Sequence, residues 1–300
     1  MSPKIYCHIG LPKTATTTLQ LDYFPLVDNG KYVYLGIAQP RGESESDALF
    51  KQVLKAVNTG EGIEAASDAL QSRMRDENKS LIFSEEMLTV SVNGLDWQEK
   101  MLRLKNILGA ADYRLLITIR EPVSAMFSFY LELYSRFKDH GESFLSLAKS
   151  NNDFQIYHYD YFLSVVLPLF GKDKVWVHKF EDLVKGDFKG VEEFLEFPTM
   201  EQGFSELRNH NAKKRSGNEV YVPVRMQMKW VSGLYRLVGG SNTVIGRMLS
   251  YLGRYPFDKL RKINYRHISV PALSDNERAE LKGEISQSMN MLSEQFGVKY

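Results

Sequence analysis

The chain has 300 residues, enough for one large hydrophobic core. With 43% hydrophobic and 25% charged residues, it has the composition of a globular protein, which excludes a disordered or fibrous class. The formal net charge of +1 excludes a protein that coats nucleic acid or membranes through bulk positive charge. Any anion site must therefore be local.

Cysteine content and apolar runs predict the compartment. The single cysteine, Cys7, permits no disulfide within the chain and fits a reducing environment. The first residues, "MSPKIYCHI", lack the extended apolar region of a signal peptide. Apolar runs such as "FLSVVLPLF" (162–170) are too short to span a bilayer. We expect a soluble, cytoplasmic protein.

Short β-rich runs alternate with helical stretches along the chain. The runs are "KIYCHI" (4–9), "YVYL" (32–35), "LIFS" (81–84), "YRLLITI" (113–119) and "KVWVHKF" (174–180). The helical stretches are 46–58, 61–76, 96–109, 122–137 and 153–167, and "SDNE" (274–277) is a capping box for a last helix running toward Phe296. The alternation predicts an α/β fold in one domain, 1–300, with a central, mostly parallel sheet of about five strands flanked by helices.

Residues 225–266 form a basic segment in this nearly neutral chain. Asp258 is its one acidic residue, and its basic residues are Arg225, Lys229, Arg236, Arg247, Arg254, Lys259, Arg261, Lys262 and Arg266. We predict a helical embellishment at 219–268 that forms a C-terminal lid region. A solvated basic face and an anion-attracting or weakly membrane-binding surface are both consistent with this pattern.

The stretch "GLPKTATTT" (10–18) follows the first predicted strand and opens a helix. A strand, loop and helix in this order direct backbone N–H groups and the positive end of the helix dipole at one point, which suits a phosphate-like anion. Gly10 is predicted to supply the turn and Lys13 a positive charge. The hydroxyl donors are Thr14, Thr16, Thr17 and Thr18. A helix merely capped by threonine would explain one or two of these hydroxyls, but not the adjacent lysine.

A second motif follows the fourth predicted strand. Arg120 ends this strand, and Ser128 comes eight residues later in the next helix. Ligands of open α/β sheets bind at the carboxyl ends of strands, and the guanidinium group suits a phosphate. The alternative is that Arg120 pairs with a carboxylate such as Glu121.

These two motifs together resemble those of the sulfotransferase family. "GLPKTATTTLQ" resembles its 5′-phosphosulfate loop, usually G-x-x-K-[TSA]-G-T-T-x-L, and "REPVSAMFSFY" (120–130) resembles its 3′-phosphate motif. "VHKFEDLV" (177–184) and "MLSEQFG" (291–297) also resemble family segments. The first loop is not a Walker A loop, because it is shorter and lacks the second glycine before the lysine.

The resemblance covers most of residues 4–200 and the C-terminal helix, and it implies a P-loop-like sulfotransferase architecture. It also implies a donor, 3′-phosphoadenosine 5′-phosphosulfate, with an anion at each end. The donor would contact Gly10, Lys13, Thr14, Ala15, Thr16, Thr17, Thr18, Arg120 and Ser128. Ala15 stands where the family commonly has glycine, and a methyl group is tolerated there only if φ is negative.

Sulfuryl transfer needs in-line geometry, neutralisation of the leaving phosphate and a base for the acceptor. Lys13 is the candidate for neutralising the charge on the leaving phosphate. The resemblance implies a glutamate or histidine base near the end of the third strand, which favours Glu86, then Glu85; the alternative is a carboxylate pair at a helix start. No His, Cys or carboxylate cluster has metal-ligand spacing, so no metal is expected.

The resemblance also implies a basic loop that closes over the donor's 3′-phosphate. "NAKKRSGN" (211–218) makes Lys213, Lys214 and Arg215 candidates, although a solvated surface loop has the same composition. The glutamate-type site resembles the branch of the family that acts on sugars. We therefore expect a carbohydrate or glycolipid acceptor, and other alcohols stay as alternatives. No nucleic acid partner is expected.

Two other functions fit parts of the sequence. A P-loop nucleotide kinase or other phosphotransferase would use "LIFSEE" (81–86) to hold Mg²⁺ and would depend on a divalent metal. A catalytically silent anion-binding protein would show no turnover.

Overall fold

The computed structural model describes residues 2–28, 30–36, 47–92, 94–137, 142–196, 215–216, 219–225 and 265–300. The chain separates into two compact units. The first consists of Met1–Phe129, Ser143–Asn211 and Ser274–Tyr300, and the second of Tyr130–Glu142 and Ala212–Leu273.

The first unit contains a five-stranded sheet. Its strands are β1 (Ile5–Gly10), β2 (Tyr32–Tyr34), β3 (Ser80–Ser84), β4 (Tyr113–Ile119) and β5 (Val175–Lys179). Their order is β2-β3-β1-β4-β5, and every neighbouring pair is parallel. The predicted α/β fold with a five-stranded parallel sheet is confirmed, and each apolar run forms one strand.

Helices flank this sheet. They are α1 (Thr16–Thr18), α2 (Phe24–Val27), α3 (Ala48–Thr59), α4 (Ile63–Glu77), α5 (Trp97–Leu108), α6 (Pro122–Phe137), α7 (Phe144–Ser150), α8 (Tyr159–Phe170), α9 (Phe180–Val184), α10 (Lys189–Leu195), α11 (Asp275–Glu284) and α12 (Ser286–Phe296). A π-helix, Leu19–Tyr23, joins α1 to α2, and short 3₁₀ helices occur at Met87–Thr89, Gln155–Tyr157 and Lys172–Lys174.

The core lies on both faces of the sheet, and every residue of β1 is buried. On one face the helices and strands pack a cluster that includes Tyr6, Leu19, Phe24, Ile82, Leu116 and Phe194. Because helices cover both faces, the central strands are apolar at consecutive positions instead of at alternate ones.

The connections that follow β1 and β4 lead to opposite sides of the sheet, although the two strands are parallel. From β1 the chain continues to β2, on the far side of β3, whereas from β4 it continues to β5, on the opposite side of the sheet. Adjacent strands whose connections leave in opposite directions open a crevice at their carboxyl ends. The loop after β1 and Arg120 after β4 both begin at this crevice.

Two helix predictions need correction. The helix predicted at 153–167 starts at Tyr159, after a separate 3₁₀ turn. At the C-terminus, Ser274 and Glu277 form the predicted capping box, but the helix ends at Glu284 because Ile285 leaves the helical conformation (ψ 6°), and α12 follows.

The second unit contains an antiparallel sheet of β6 (Arg215–Ser216), β7 (Glu219–Arg225) and β8 (Tyr265–Pro271), in that order. The prediction of helix at 219–268 is therefore wrong at both ends of that segment. "EVYVPVR" has valine at every second position, the period of a strand, and a proline disfavours a helix interior. Within the described residues β6 pairs with β7 only as far as Val220, so Pro223 has a neighbouring strand on one side only. Proline is tolerated at such an edge position. Most of the basic segment, 226–264, lies outside the described residues.

Two features are absent from the described ranges. No helix there has both the length and the apolar character needed to cross a membrane. No group of three or more His, Cys, Asp or Glu side chains there is arranged to hold a metal ion.

Candidate functional site

The loop between β1 and α1 has a left-handed backbone at two non-glycine residues. Lys13 has a φ of 71° and Ala15 a φ of 65°, so Ala15 does not meet the condition of a negative φ under which a methyl group is tolerated. The Ala15 carbonyl oxygen accepts hydrogen bonds from the N–H groups of Thr18 (3.0 Å) and Leu19 (3.1 Å), which hold this conformation. Turns that contain left-handed residues direct neighbouring N–H groups into one concavity that binds anions. Strain of about 1–2 kcal/mol per such residue is thus concentrated at the predicted anion site.

Gly10 has a different role from the predicted one. It is the last residue of β1, pairs with Thr118 of β4, and is absent from the residues with positive φ, so it does not supply the turn. A Cβ atom on Gly10 would lie 1.8 Å from Oγ1 of Thr16. Glycine is required here because the start of the helix packs directly over the end of the strand.

The threonines of the loop differ in their environment. Oγ1 of Thr16 is buried and has no hydrogen-bond partner among the described residues. The hydroxyl of Thr14 instead donates to the Leu11 carbonyl oxygen (2.6 Å) and lies 2.8 Å from Oγ1 of Thr118, so it faces the sheet. Thr17 is partly exposed and Thr18 is buried. Because a buried hydroxyl without a partner costs stability, Thr16 best fits a ligand oxygen.

Arg120 lies against this loop. Its Nη1 donates to the Lys13 carbonyl oxygen at 3.3 Å, and its guanidinium carbon is 4.6 Å from the centre of the Phe180 ring. The hydroxyl of Tyr159 accepts from the Arg120 N–H (3.2 Å) and donates to its carbonyl oxygen (2.6 Å). Burial raises the pKa of Tyr159 well above its ordinary value, which keeps this hydroxyl protonated. The structure therefore brings the two predicted anion-binding motifs together.

The carboxylate of Glu121 does not neutralise Arg120. Within the described part of the chain Arg120 has no ion pair; Oε2 of Glu121 accepts from the Ser124 N–H at 2.8 Å and lies 3.9 Å from Nη1 of Arg278. Oε1 of Glu181 accepts from the Glu121 N–H at 3.0 Å. Both glutamates thus fix the start of α6, the helix that carries the half-buried Ser128.

Glu85 is part of a buried polar clamp. Glu85 is 2% exposed and Lys100 only 1%. Oε1 of Glu85 accepts from the Met87 N–H (2.9 Å), while Nζ of Lys100 donates to the carbonyl oxygens of Met87 (3.0 Å) and Val90 (2.7 Å). Burial lowers the pKa of Lys100, although Asp153 and Glu85 oppose this shift. These contacts fix the backbone directly after β3.

Glu86 occupies the turn that this clamp holds. Its carbonyl oxygen accepts from both the N–H (3.1 Å) and the hydroxyl (2.9 Å) of Thr89, and Oδ1 of Asp153 fixes the following Ser91 N–H at 2.9 Å. Glu86 is partly exposed, unlike Glu85. The structure therefore distinguishes the two carboxylates by their environments.

Sequence reasoning missed two tyrosines that support the site. The hydroxyl of Tyr157 donates to the Pro12 carbonyl oxygen at 2.8 Å, and Tyr159 binds Arg120 as described. Both come from the stretch predicted as a continuous helix, and nothing in its sequence identifies their partners more than 35 residues away.

The structure does not describe the side chains of the three remaining predicted residues. Lys213 and Lys214 lie outside the described residues. Arg215 belongs to β6 in the second unit, and its side chain is not among the described ones.

Similarity to known proteins is confined to solved structures. The solved structure of a sulfotransferase from Alicyclobacillus acidocaldarius is similar to it, with 16% sequence identity and a TM-score of 0.42 over 79% of this chain and 91% of that chain. No protein-family model matches the sequence, and no curated protein matches it significantly. A similarity of this size assigns neither substrate nor activity.

Proposed function

We propose that the protein is a sulfotransferase that moves a sulfuryl group from 3′-phosphoadenosine 5′-phosphosulfate to a hydroxyl or amine of an acceptor. The observation that carries this proposal is the contact of Arg120 with the carbonyl oxygen of Lys13. It joins the two sequence motifs that resemble the donor-binding motifs of sulfotransferases, at the sheet edge where such folds bind ligands.

The residues of the loop fit the 5′ end of this donor. Oγ1 of Thr16 needs a partner, and the left-handed turns at Lys13 and Ala15 suit an anion. When bound, the donor supplies an activated sulfuryl group attached to a phosphate. Lys13 would neutralise the negative charge that develops on this phosphate, while Arg120 and Ser128 would hold the 3′-phosphate.

Glu86 is the proposed general base. It is partly exposed at the end of β3, and the buried clamp fixes its backbone. In this role Glu86 would take the proton of the acceptor hydroxyl or amine as the bond from the acceptor to sulfur forms and the bond from sulfur to the leaving phosphate oxygen breaks. Glu85 is assigned to support of the turn, because its carboxylate is buried on the Met87 N–H.

The acceptor class comes from the sequence resemblance alone, which favours a carbohydrate or glycolipid. The same resemblance keeps Lys213, Lys214 and Arg215 as candidates for the donor's 3′-phosphate. A cytoplasmic location, and a lid or weak membrane contact formed by the basic segment, remain proposals from composition.

Calorimetry with nucleotides tests the proposal. Adenosine 3′,5′-bisphosphate should bind far more tightly than AMP or ATP, because the two motifs present separate anion sites. Transfer of radiolabelled sulfate from the donor to pools of sugars, glycolipids and small alcohols then tests the activity. Equal or tighter binding of ATP, with turnover that requires a divalent metal, would instead indicate a phosphotransferase.

A further inference from the structure

Four buried polar side chains form a row beneath the anion-binding loop. Ser84 at the end of β3, His8 in β1, Thr118 in β4 and Thr14 in the loop are each 0% exposed. Nδ1 of His8 lies 2.7 Å from Oγ of Ser84, and Nε2 lies 3.1 Å from Oγ1 of Thr118. Oγ1 of Thr118 lies 2.8 Å from Oγ1 of Thr14. The row therefore connects the strand that leads to Glu86 with the loop that contains Lys13.

The direction of each hydrogen bond follows from the number of protons available. Thr14 donates its only hydroxyl proton to the Leu11 carbonyl oxygen, at 2.6 Å, so it must accept from Thr118. Thr118 then has no proton left and must accept from Nε2–H of His8. A neutral imidazole has one N–H group, so Nδ1 accepts from the hydroxyl of Ser84. Every proton in the row points toward the loop.

The surroundings of His8 favour the neutral ring. Burial, with a smaller contribution from the charge of His178, lowers the pKa of His8 to about 3. The backbone next to the row is also fixed, because the His8 carbonyl oxygen accepts from the Glu85 N–H (3.1 Å) and Gln20 Nε2 donates to the Ser84 carbonyl oxygen (2.8 Å).

We propose that His8 is a positioning residue: as its Nε2–H tautomer it holds the anion-binding loop in its left-handed conformation through Thr118 and Thr14. The loop contains two strained residues, Lys13 and Ala15, and such strain persists only where surrounding contacts impose it. The row supplies such a contact from below, and the Tyr157 hydroxyl supplies another at the Pro12 carbonyl oxygen.

Histidine ring ¹⁵N spectra at pH 7 test the tautomer directly. We expect the shift of a protonated nitrogen at Nε2 and of an unprotonated nitrogen at Nδ1, with the signals assigned by their loss in His8→Gln. The opposite tautomer, or an imidazolium ring, would overturn the proposal. This measurement needs no ligand and does not depend on the proposed function.

Amide hydrogen exchange tests the coupling to the loop. Thr118→Val removes the hydroxyl that joins His8 to Thr14, and we expect the loop amides of residues 13–16 to exchange about tenfold faster, the effect of one lost hydrogen bond. Thr118→Ser should restore wild-type exchange. Ser80→Ala is the matched control, because Ser80 lies at the other end of β3, where its hydroxyl accepts from the Lys4 N–H. Unchanged loop exchange in folded Thr118→Val would overturn the proposal.

A second variant covers the case in which Thr118→Val does not fold because Nε2–H of His8 is left without an acceptor. His8→Phe/Ser84→Ala/Thr118→Val removes the polar groups of all three neighbouring partners, which is far less costly than leaving one buried polar group without a partner. It should show the same faster loop exchange, and unchanged exchange in this folded variant would count equally against the proposal.

The consequence for ligand binding rests on the proposed function. Adenosine 3′,5′-bisphosphate should bind about tenfold more weakly to Thr118→Val, with recovery in Thr118→Ser. Unchanged binding to Thr118→Val would overturn the link between the row and the ligand. If the wild-type protein binds no such nucleotide, the proposed function fails, while the ring spectra and loop exchange still decide the role of His8.

Discussion

Arg120 and Lys13 meet across the carboxyl edge of the sheet, where Nη1 of Arg120 donates a hydrogen bond to the main-chain carbonyl oxygen of Lys13 at 3.3 Å. The contact joins β4 to the loop after β1, between residues 107 positions apart in the chain. The acceptor is a main-chain atom of Lys13, so a substitution of the Lys13 side chain leaves the acceptor of Arg120 in place. The two cations can therefore be tested independently.

Lys13→Ala and Arg120→Ala should affect different kinetic parameters. If Lys13 neutralises the leaving phosphate, Lys13→Ala chiefly lowers kcat, because this charge develops only in the transition state. Arg120→Ala should weaken binding of adenosine 3′,5′-bisphosphate by about 2 kcal/mol, as for a lost charged hydrogen bond. Steady-state kinetics and calorimetry measure the two effects. A folded Lys13→Ala variant with full activity would exclude the proposed mechanism.

Glu86→Gln and Glu85→Gln should also affect different properties, the first kcat and the second the stability of the fold. Loss of the base in Glu86→Gln is expected to lower kcat by about 10²–10⁴-fold with little change in stability. Glu85→Gln removes a buried charge beside Lys100 and should lower the free energy of unfolding by about 1–3 kcal/mol. Measurement of kcat and of urea unfolding for both variants checks this. A larger loss of kcat in Glu85→Gln than in Glu86→Gln, with both variants folded, would reverse the assignment.

Ala15→Gly should stabilise the protein. Ala15 has a φ of 65°, where glycine has no steric penalty, and the gain exceeds the extra entropy that glycine gives the unfolded chain. We expect an increase of about 0.5–1 kcal/mol in the free energy of unfolding. Ala66→Gly, in the interior of α4, is the control and should destabilise by about 1 kcal/mol. A loss of stability in Ala15→Gly would show that the loop is not strained at this residue.

The sequence predicted the elements whose signals are local. Each strand of the parallel sheet is a short apolar run, and the capping box at Ser274 is a four-residue pattern. The meeting of Arg120 and Lys13 was predictable because the carboxyl ends of neighbouring parallel strands share one edge of the sheet.

Features that depend on distant partners could not be predicted in this way. The pattern "SEE" does not show which carboxylate is buried. The structure buries Glu85, whose Oε1 accepts from the Met87 N–H, while Lys100 of α5 binds the Met87 carbonyl oxygen. The sequence predicts Gly10 as a turn residue. The structure shows a different reason for glycine, because a Cβ atom there would lie 1.8 Å from Oγ1 of Thr16. The prediction of a helix at 219–268 did not take account of the alternating valines around Pro223, which are a local strand signal in the sequence.

Glu196 should stabilise the protein in a pH-dependent manner without affecting the site. It lies at the amino edge of the sheet, where it accepts hydrogen bonds from Lys4 Nζ (2.8 and 2.9 Å), Tyr6 (3.0 Å) and Arg114. Burial alone would raise the pKa of Glu196, but the bonds from Lys4 and Tyr6 and the charge of Arg114 lower it below its ordinary value.

The sign of the pH effect follows from this lowered pKa. The unfolded chain takes up the Glu196 proton more readily than the folded one, so the stabilisation is complete above the ordinary pKa of about 4.3 and is lost as the pH falls through the folded value. Glu196→Gln should therefore lower the free energy of unfolding by about 1–3 kcal/mol at pH 7, and the difference from wild type should shrink below about pH 4. Urea unfolding of both proteins at several pH values measures this difference, and nucleotide calorimetry at pH 7 should give equal affinities. A difference that stays constant from pH 7 to pH 3 would show that the Glu196 charge does not stabilise the fold.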